Sequence, residues 1–199
     1  MVSALVQVSL AEDQDQGWVK VRSKGTLTIY NRSRDGSKVK ELKAIGIVKA
    51  PPSAVRKAIN DIEGYARFMP YTGEARVLSR GTNSVVVYER LEMPLVADRD
   101  FAIRMSDETR RGPDGSTRYV CRWQCADELA PPEKHGVVRI KTNEGSWTLE
   151  PVEGGRFTRV TYWIYTDPGG KIPVSILNSA NTSAIPKVFA AVEKEAGRR

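Results

Sequence analysis

Histidine is almost absent from this chain: His135 is the only one among 199 residues. A single imidazole excludes a ring-hydroxylase-type iron site, which needs two histidines and a carboxylate. No Ser-His-Asp or Cys-His pairing can be assembled around it either. Its setting, "APPEKHGVV", is a loop running into a strand, which predicts a surface residue rather than a general base. Cysteine is nearly as scarce. Cys121 and Cys125 fall in "RYVCRWQCAD", which alternates like a strand, so at about 3.3 Å per residue their Cα atoms stand roughly 13 Å apart. A disulfide closes only below about 7 Å, so both are expected as free, buried thiols. No further Cys or His lies near them to complete a zinc set, and neither a metal nor a cofactor is expected.

Long apolar runs are missing too. Nothing approaches the roughly 18 consecutive apolar residues of a membrane span. There is no internal repeat, low-complexity tract or linker, so residues 17–199 are expected to form a single domain with its own core. Acid is in short supply: 31 Lys and Arg against 24 Asp and Glu give a net charge of +7. That balance favours anionic lipid head groups or nucleic acid as partners. The basic residues are scattered, without interleaved stacking aromatics or a recognised motif, so nucleic acid is not expected and the protein reads as a monomer. Residues 1–16 combine an apolar run with Ser9-Leu10-Ala11, a small-x-small pattern suited to signal cleavage, but lack a basic n-region. They read as a short N-terminal helix or as the tail of a signal, with a soluble, exported protein favoured over a cytoplasmic one.

What the chain does contain is strand alternation. "WVKVRS", "TLTIYNRS" and Lys38–Ala50 come first, the last two joined by an Asp35-Gly36 hairpin turn. "PPSAVRKAINDIEGYARFM" switches to helical spacing, with Ser53 as N-cap, Ala54, Ala58 and Ile62 on one face, and Gly64 breaking the run. A meander follows: Glu74–Ser79, Ser84–Met93, Asp100–Asp107, Thr117–Asp127, Gly136–Thr142, Ser146–Pro151 and Arg156–Thr166, punctuated by "RGPDGS" and "VEGGR". The last strand stops at Asp167-Pro168-Gly169-Gly170, and a helix over 173–195 follows. The order describes an α+β domain with one long helix laid across an antiparallel sheet.

That helix has an unusual stripe. Val174, Leu177, Ala184, Ile185, Val188 and Val192 share one face with Phe189 at its edge. Asn181 sits in the centre of the face and Asn178 near its edge. Pro186 removes a backbone donor and predicts a kink. An unpaired buried amide costs about 1–3 kcal/mol. The two asparagines therefore either bond to backbone and loops, or look into a cavity holding water or a polar group of a ligand.

Taken in order, "GTLTIYNR", "GSKVKELKAIGIVKAPPSAV", "DIEGYARFMPYTGEARVL", "DRDFAIRM", "EGSWTLEPV" and "GGRFTRVTYWIYTDPGGKIPVSILNSAN" with "IPKV" resemble the steroidogenic-acute-regulatory-related lipid transfer (START) family, especially its stand-alone bacterial members. The resemblance runs through nearly the whole chain. It implies a helix-grip fold: a curved antiparallel β-sheet wrapped around the long C-terminal helix, with an internal hydrophobic cavity for one lipid. It also implies non-catalytic binding, and transfer, of a lipid or other large apolar molecule. The alternatives are an aromatase/cyclase-type enzyme of the same superfamily acting on a polyketide-like substrate, and a quinone-chaperone or ligand-sensing module.

Alternation then nominates the ligand-binding walls: Val87 and Glu89; Phe101, Ile103 and Met105; Tyr119, Cys121 and Trp123; Tyr162 and Ile164; and, on the helix, Asn178, Asn181 and Ile185. Several sterol-binding members of the family look into their cavity with an acid and an arginine. Glu89 matches the acid across a gap, but Met105 stands at the arginine's position and Arg104 alternates outward. Sterol recognition through that ion pair is therefore not expected, and Glu89 is either turned outward or buried with a raised pKa. In "LEMPLVADRDF" an ordinary hairpin would place polar residues where Met93, Leu95 and Val96 stand. That apolar tip is a candidate for transient contact with an anionic membrane surface.

Overall fold

The computed structural model describes residues 17–198 except Leu95, Lys171 and Pro173, and only the backbone of residues 174–181. The readings of residues 1–16, of Leu95 and of the Asn178 and Asn181 side chains lie outside the described residues.

Ten strands form one sheet. They are β1 (Val19–Lys24), β2 (Leu27–Arg32), β3 (Glu41–Val48), β4 (Thr72–Arg80), β5 (Ser84–Leu91), β6 (Asp98–Arg111), β7 (Thr117–Cys125), β8 (Val137–Arg139), β9 (Thr142–Val152) and β10 (Phe157–Asp167). The spatial order is β1-β2-β3-β10-β9-β7-β6-β5-β4, antiparallel throughout, with β8 paired in parallel beside β6. Helices α1 (Pro52–Ile59) and α2 (Tyr65–Phe68) interrupt the strands, and α3 (Val174–Ala196) ends the chain.

Local sequence accounts for most of this. Strands β9 and β10 alternate between buried and half-buried positions, as period-2 patterning requires of a sheet covered on one face. Helix α1 begins differently from the sequence reading. Pro51 is its N-cap and Pro52 its first residue, where a missing N–H costs nothing, so Ser53 caps no helix. Its buried stripe is Val55, Ala58 and Ile59. Strand β6 outruns its expected bounds at both ends because β5, β7 and β8 all pair with it.

The sheet is not wrapped around the C-terminal helix, which corrects the curved sheet wrapped around that helix and enclosing a cavity that the resemblance implied. Its path is open: among the described residues β1 pairs only with β2 and β4 only with β5, so these two strands do not meet. The physical reason lies in β1, whose residues are exposed along its whole length and include Lys20, Arg22 and Lys24. A charged edge strand of that kind resists further pairing. The described part of α3 packs on α1, α2 and β3 rather than running through an enclosed centre. An α+β arrangement of antiparallel sheet and C-terminal helix is what stands.

The outer face of the sheet is fixed by a buried ion pair. Arg139 donates to Asp100 at 2.7 and 3.1 Å, to Asp127 at 3.2 Å and to the Pro131 carbonyl at 2.8 Å. The Tyr88 hydroxyl donates to the same Asp100 at 3.1 Å. Those bonds tie the 126–140 segment onto β5 and β6. At the far end of α3, buried Glu195 accepts from Arg67 at 3.2 Å and Arg198 at 3.3 Å, and Glu193 accepts the Lys49 backbone N–H at 2.9 Å.

Candidate functional site

Directly paired residues of an antiparallel ladder project to the same face, so strand register assembles the site. On β5 and β6, Val87 pairs with Ile103, Glu89 with Phe101 and Leu91 with Arg99. Across β6 and β7, Met105 pairs with Trp123 and Asp107 with Cys121, while Thr109 meets Tyr119. The same face continues through Cys121–Trp147 and Tyr119–Leu149 into β9, through Trp147–Tyr162 and Gly145–Ile164 into β10, and through Tyr162–Ala44 into β3. Every strand residue nominated as a ligand wall therefore stands on one inner face. Ile185 reaches the same apolar cluster from α3, beside Phe189 and Val192.

The centre of this face is aromatic. The Trp147 and Tyr162 rings lie 4.2 Å apart between centroids, Trp123 stacks on Tyr162 at 5.9 Å, and Phe189 meets Trp147 at 6.0 Å. Gly145 makes the Trp123 position possible, since a Cβ there would stand 2.2 Å from the indole. The Trp123 ring N–H donates to Asn143 at 3.0 Å, which also accepts from Thr166 at 3.1 Å. That indole is thus satisfied and offers a ligand only its ring surface. Burial pushes the Cys121 thiol up to about 12, which keeps it protonated and inert. Both cysteines are free.

Glu89 breaks the apolar pattern. It is 8% exposed, and no cation or hydrogen-bond donor among the described residues reaches its carboxyl. Burial alone pushes its pKa from 4.5 to about 7. Its charge also acts on the hydroxyls of Tyr65 and Tyr162, and together with burial it holds both well above the usual tyrosine range. Tyr65 donates to the Ile59 carbonyl. The Tyr162 hydroxyl, by contrast, has no hydrogen-bond partner among the described residues. An acid and a phenol thus sit in an apolar layer with their bonding capacity unused.

An open pocket of about 340 Å³ reaches this face at Met105 and Cys121, between Asn60, Ile62 and the Arg80–Ser84 hairpin. It lies where β5 begins, opposite the 92–97 connection. In that connection Met93 is half-buried and Val96 is 41% exposed. His135 is exposed, as its loop setting suggested. Among the described residues, no three His, Cys, Asp or Glu side chains are grouped to hold a metal, and no helix is long and apolar enough to cross a membrane.

The sequence reading missed Trp147 and Phe189 as part of this layer, and Arg99 at its end. Trp147 was legible in principle, because "EGSWTLE" alternates with Trp147 and Leu149 in phase. Tyr65 was not, since only the packing of α2 against β4 and α3 brings it within reach of the Glu89 charge.

The START domain sequence profile matches residues 3–196, nearly the full chain. The chain belongs to the START domain family. This START domain is 30% identical over 172 residues to an uncharacterized protein of Pseudomonas aeruginosa, covering 86% of the chain and 80% of the relative. It is 26% identical over 171 residues to the phosphatidylcholine transfer protein of Rattus norvegicus, covering 85% and 78%. Its fold matches the crystal structure of a STAR-related lipid transfer protein from Xanthomonas axonopodis with a TM-score of 0.79 and 24% identity, over 92% of this chain and 99% of that one.

Proposed function

We propose that this START domain binds a lipid or other large apolar molecule against the inner face of its sheet, beneath α1 and α3, and carries it without converting it. The observation that carries the reading is Glu89. A buried carboxyl without a partner is costly, and protonated near neutral pH it becomes both a donor and an acceptor for a polar group of a bound molecule. The Tyr162 hydroxyl, on the same inner face and within reach of the Glu89 charge, offers a second bond. The aromatic layer of Trp123, Trp147 and Phe189 supplies apolar surface for the rest of the ligand. Relatives named for lipid and phosphatidylcholine transfer support the ligand class.

The proposal includes the absence of catalysis. Acid–base chemistry needs positioned groups of matched pKa, and here one perturbed carboxyl faces tyrosines held in their protonated form. It also includes a monomer that touches anionic membranes transiently, through the 93–96 tip and the basic surface that gives the chain its charge of +7. The test is a vesicle-to-vesicle transfer assay with a series of fluorescent lipids. Wild-type protein should accelerate transfer of at least one of them, and Glu89→Gln should change which lipid is preferred. No acceleration of any lipid by the wild type would count against the reading.

A further inference from the structure

Two arginines with buried side chains stand where β6 meets β8, Arg139 on the outer face and Arg99 on the inner, and they differ in their partners. Arg139, opposite Asp100, has its guanidinium filled by two carboxylates and a carbonyl. Arg99, opposite Val138, is 3% exposed and has no carboxylate bonded to it among the described residues. One of its terminal nitrogens donates to the Ala97 carbonyl. Its Nε is buried with no hydrogen-bond partner among the described residues.

The position of Arg99 matters as much as its vacancy for bonds. It pairs with Leu91, so it projects to the inner face, diagonal to Glu89. The two opposite charges do not satisfy each other: burial alone sets the Glu89 carboxyl, with no lowering contribution from Arg99. The Arg99 guanidinium instead lies against the turn that leads into α3. Its Nη2 is 3.5 Å from where a Cβ on Gly170 would stand, and Gly170 has a φ of +73°. A glycine there lets the backbone approach the guanidinium closely. Burial lowers the Arg99 pKa, offset only in part by Asp98, which acts through space and is itself bonded to Arg90. A cation stripped of water with no carboxylate bonded to it is a standing cost to the fold, and a planar guanidinium with an unpartnered N–H is suited to carboxylate and phosphate oxygens.

We propose that Arg99 is the anion-binding group of the ligand site, taking a phosphate or carboxylate oxygen of an amphiphile whose chain runs along the inner face past Phe101 and Ile103. This rests on the inner face being a lipid site, and it narrows the ligand class to acidic or zwitterionic amphiphiles. At 3% exposure Arg99 does not reach a head group in the plane of a bilayer. The anion arrives as part of the bound molecule or as free phosphate.

The experiment titrates delipidated full-length protein with 1-oleoyl-lysophosphatidate and with 1-monooleoylglycerol, which share one acyl chain and differ by the phosphate. The phosphate ester should bind at least about tenfold more tightly, the scale of one or more hydrogen bonds to a charged group. In Arg99→Gln, with folding checked by circular dichroism, the ratio should fall to about one, and Arg99→Lys should restore part of it. Equal affinities in the wild type would overturn the role of Arg99 while leaving lipid binding intact, and need no variant. Failure of both lipids to bind would overturn the lipid site itself. Saturation by millimolar inorganic phosphate, with no gain for the phosphorylated lipid, would assign Arg99 to free phosphate and overturn the amphiphile.

Discussion

Replacing Glu89 by glutamine should make the ligand-free protein more stable in neutral and alkaline solution, and by an amount that depends on pH in a defined way. In the unfolded chain the carboxyl ionises at its ordinary 4.5, whereas burial in the folded protein raises it to about 7. Below 4.5 both states hold the proton, and the acid imposes no electrostatic cost. As pH rises from 4.5 toward 7 the unfolded state releases its proton and the folded state does not, so stability is lost across that window and levels off above it. At about 1.4 kcal/mol per pH unit the loss amounts to about 3 kcal/mol. Glutamine has nearly the same shape and never ionises. Urea unfolding of both proteins between about pH 4 and pH 8 measures the difference directly. The variant's advantage should be near zero at the acidic end and about 3 kcal/mol at the alkaline end, with other titrating groups cancelling between the two. A difference independent of pH would refute the reasoning, because it would mean that the carboxyl is solvated in the folded state. A wild type that gains on the variant as pH rises would mean that Glu89 meets a cation.

Other expectations follow from single contacts. Arg139→Ala strands the carboxylate of Asp100, which is 1% exposed, and should cost about 3–5 kcal/mol in urea unfolding. Gly145→Ala places a methyl 2.2 Å from the Trp123 indole and 2.5 Å from the Trp163 carbonyl. It should destabilise by about 1–3 kcal/mol and shift the tryptophan emission, and a neutral result would show that the indole does not lie flat across β9. Leu95→Asp combined with Val96→Asp should weaken binding to anionic vesicles and slow lipid transfer, while circular dichroism stays unchanged. Unaltered transfer, or unfolding of the double variant, would remove the 93–96 tip as a membrane contact.

Much of this was legible because strands announce their faces. The alternation in "VVVYERL", "DFAIRM" and "RYVCRWQC" places Val87, Glu89, Phe101, Ile103, Met105, Tyr119, Cys121 and Trp123 in phase, and the register of neighbouring strands then joins them. Glu89 stood out as an acid in an apolar phase, and burial with a raised pKa was one of two outcomes the pattern allowed. Whether the sheet wraps the C-terminal helix was not legible. Whether two edges meet depends on contacts between β1 and β4, which are far apart in sequence, and the charges of β1 decided against it. The start of α1 was misread because Ser53 is a good cap by residue type, whereas the two prolines before it set the backbone first. Arg99 was visible only as part of a motif. Nothing local distinguishes it from Arg139 as a buried cation, and only the partners brought by the fold separate the satisfied guanidinium from the unsatisfied one.

The most direct test of the central claim is native mass spectrometry of the purified protein, followed by organic extraction of whatever it carries. The account predicts a species heavier than the 199-residue chain by one amphiphilic molecule, released on denaturation, in monomeric protein. A mass equal to that of the chain alone, unchanged after incubation with phospholipids, lysophospholipids and fatty acids, would contradict it.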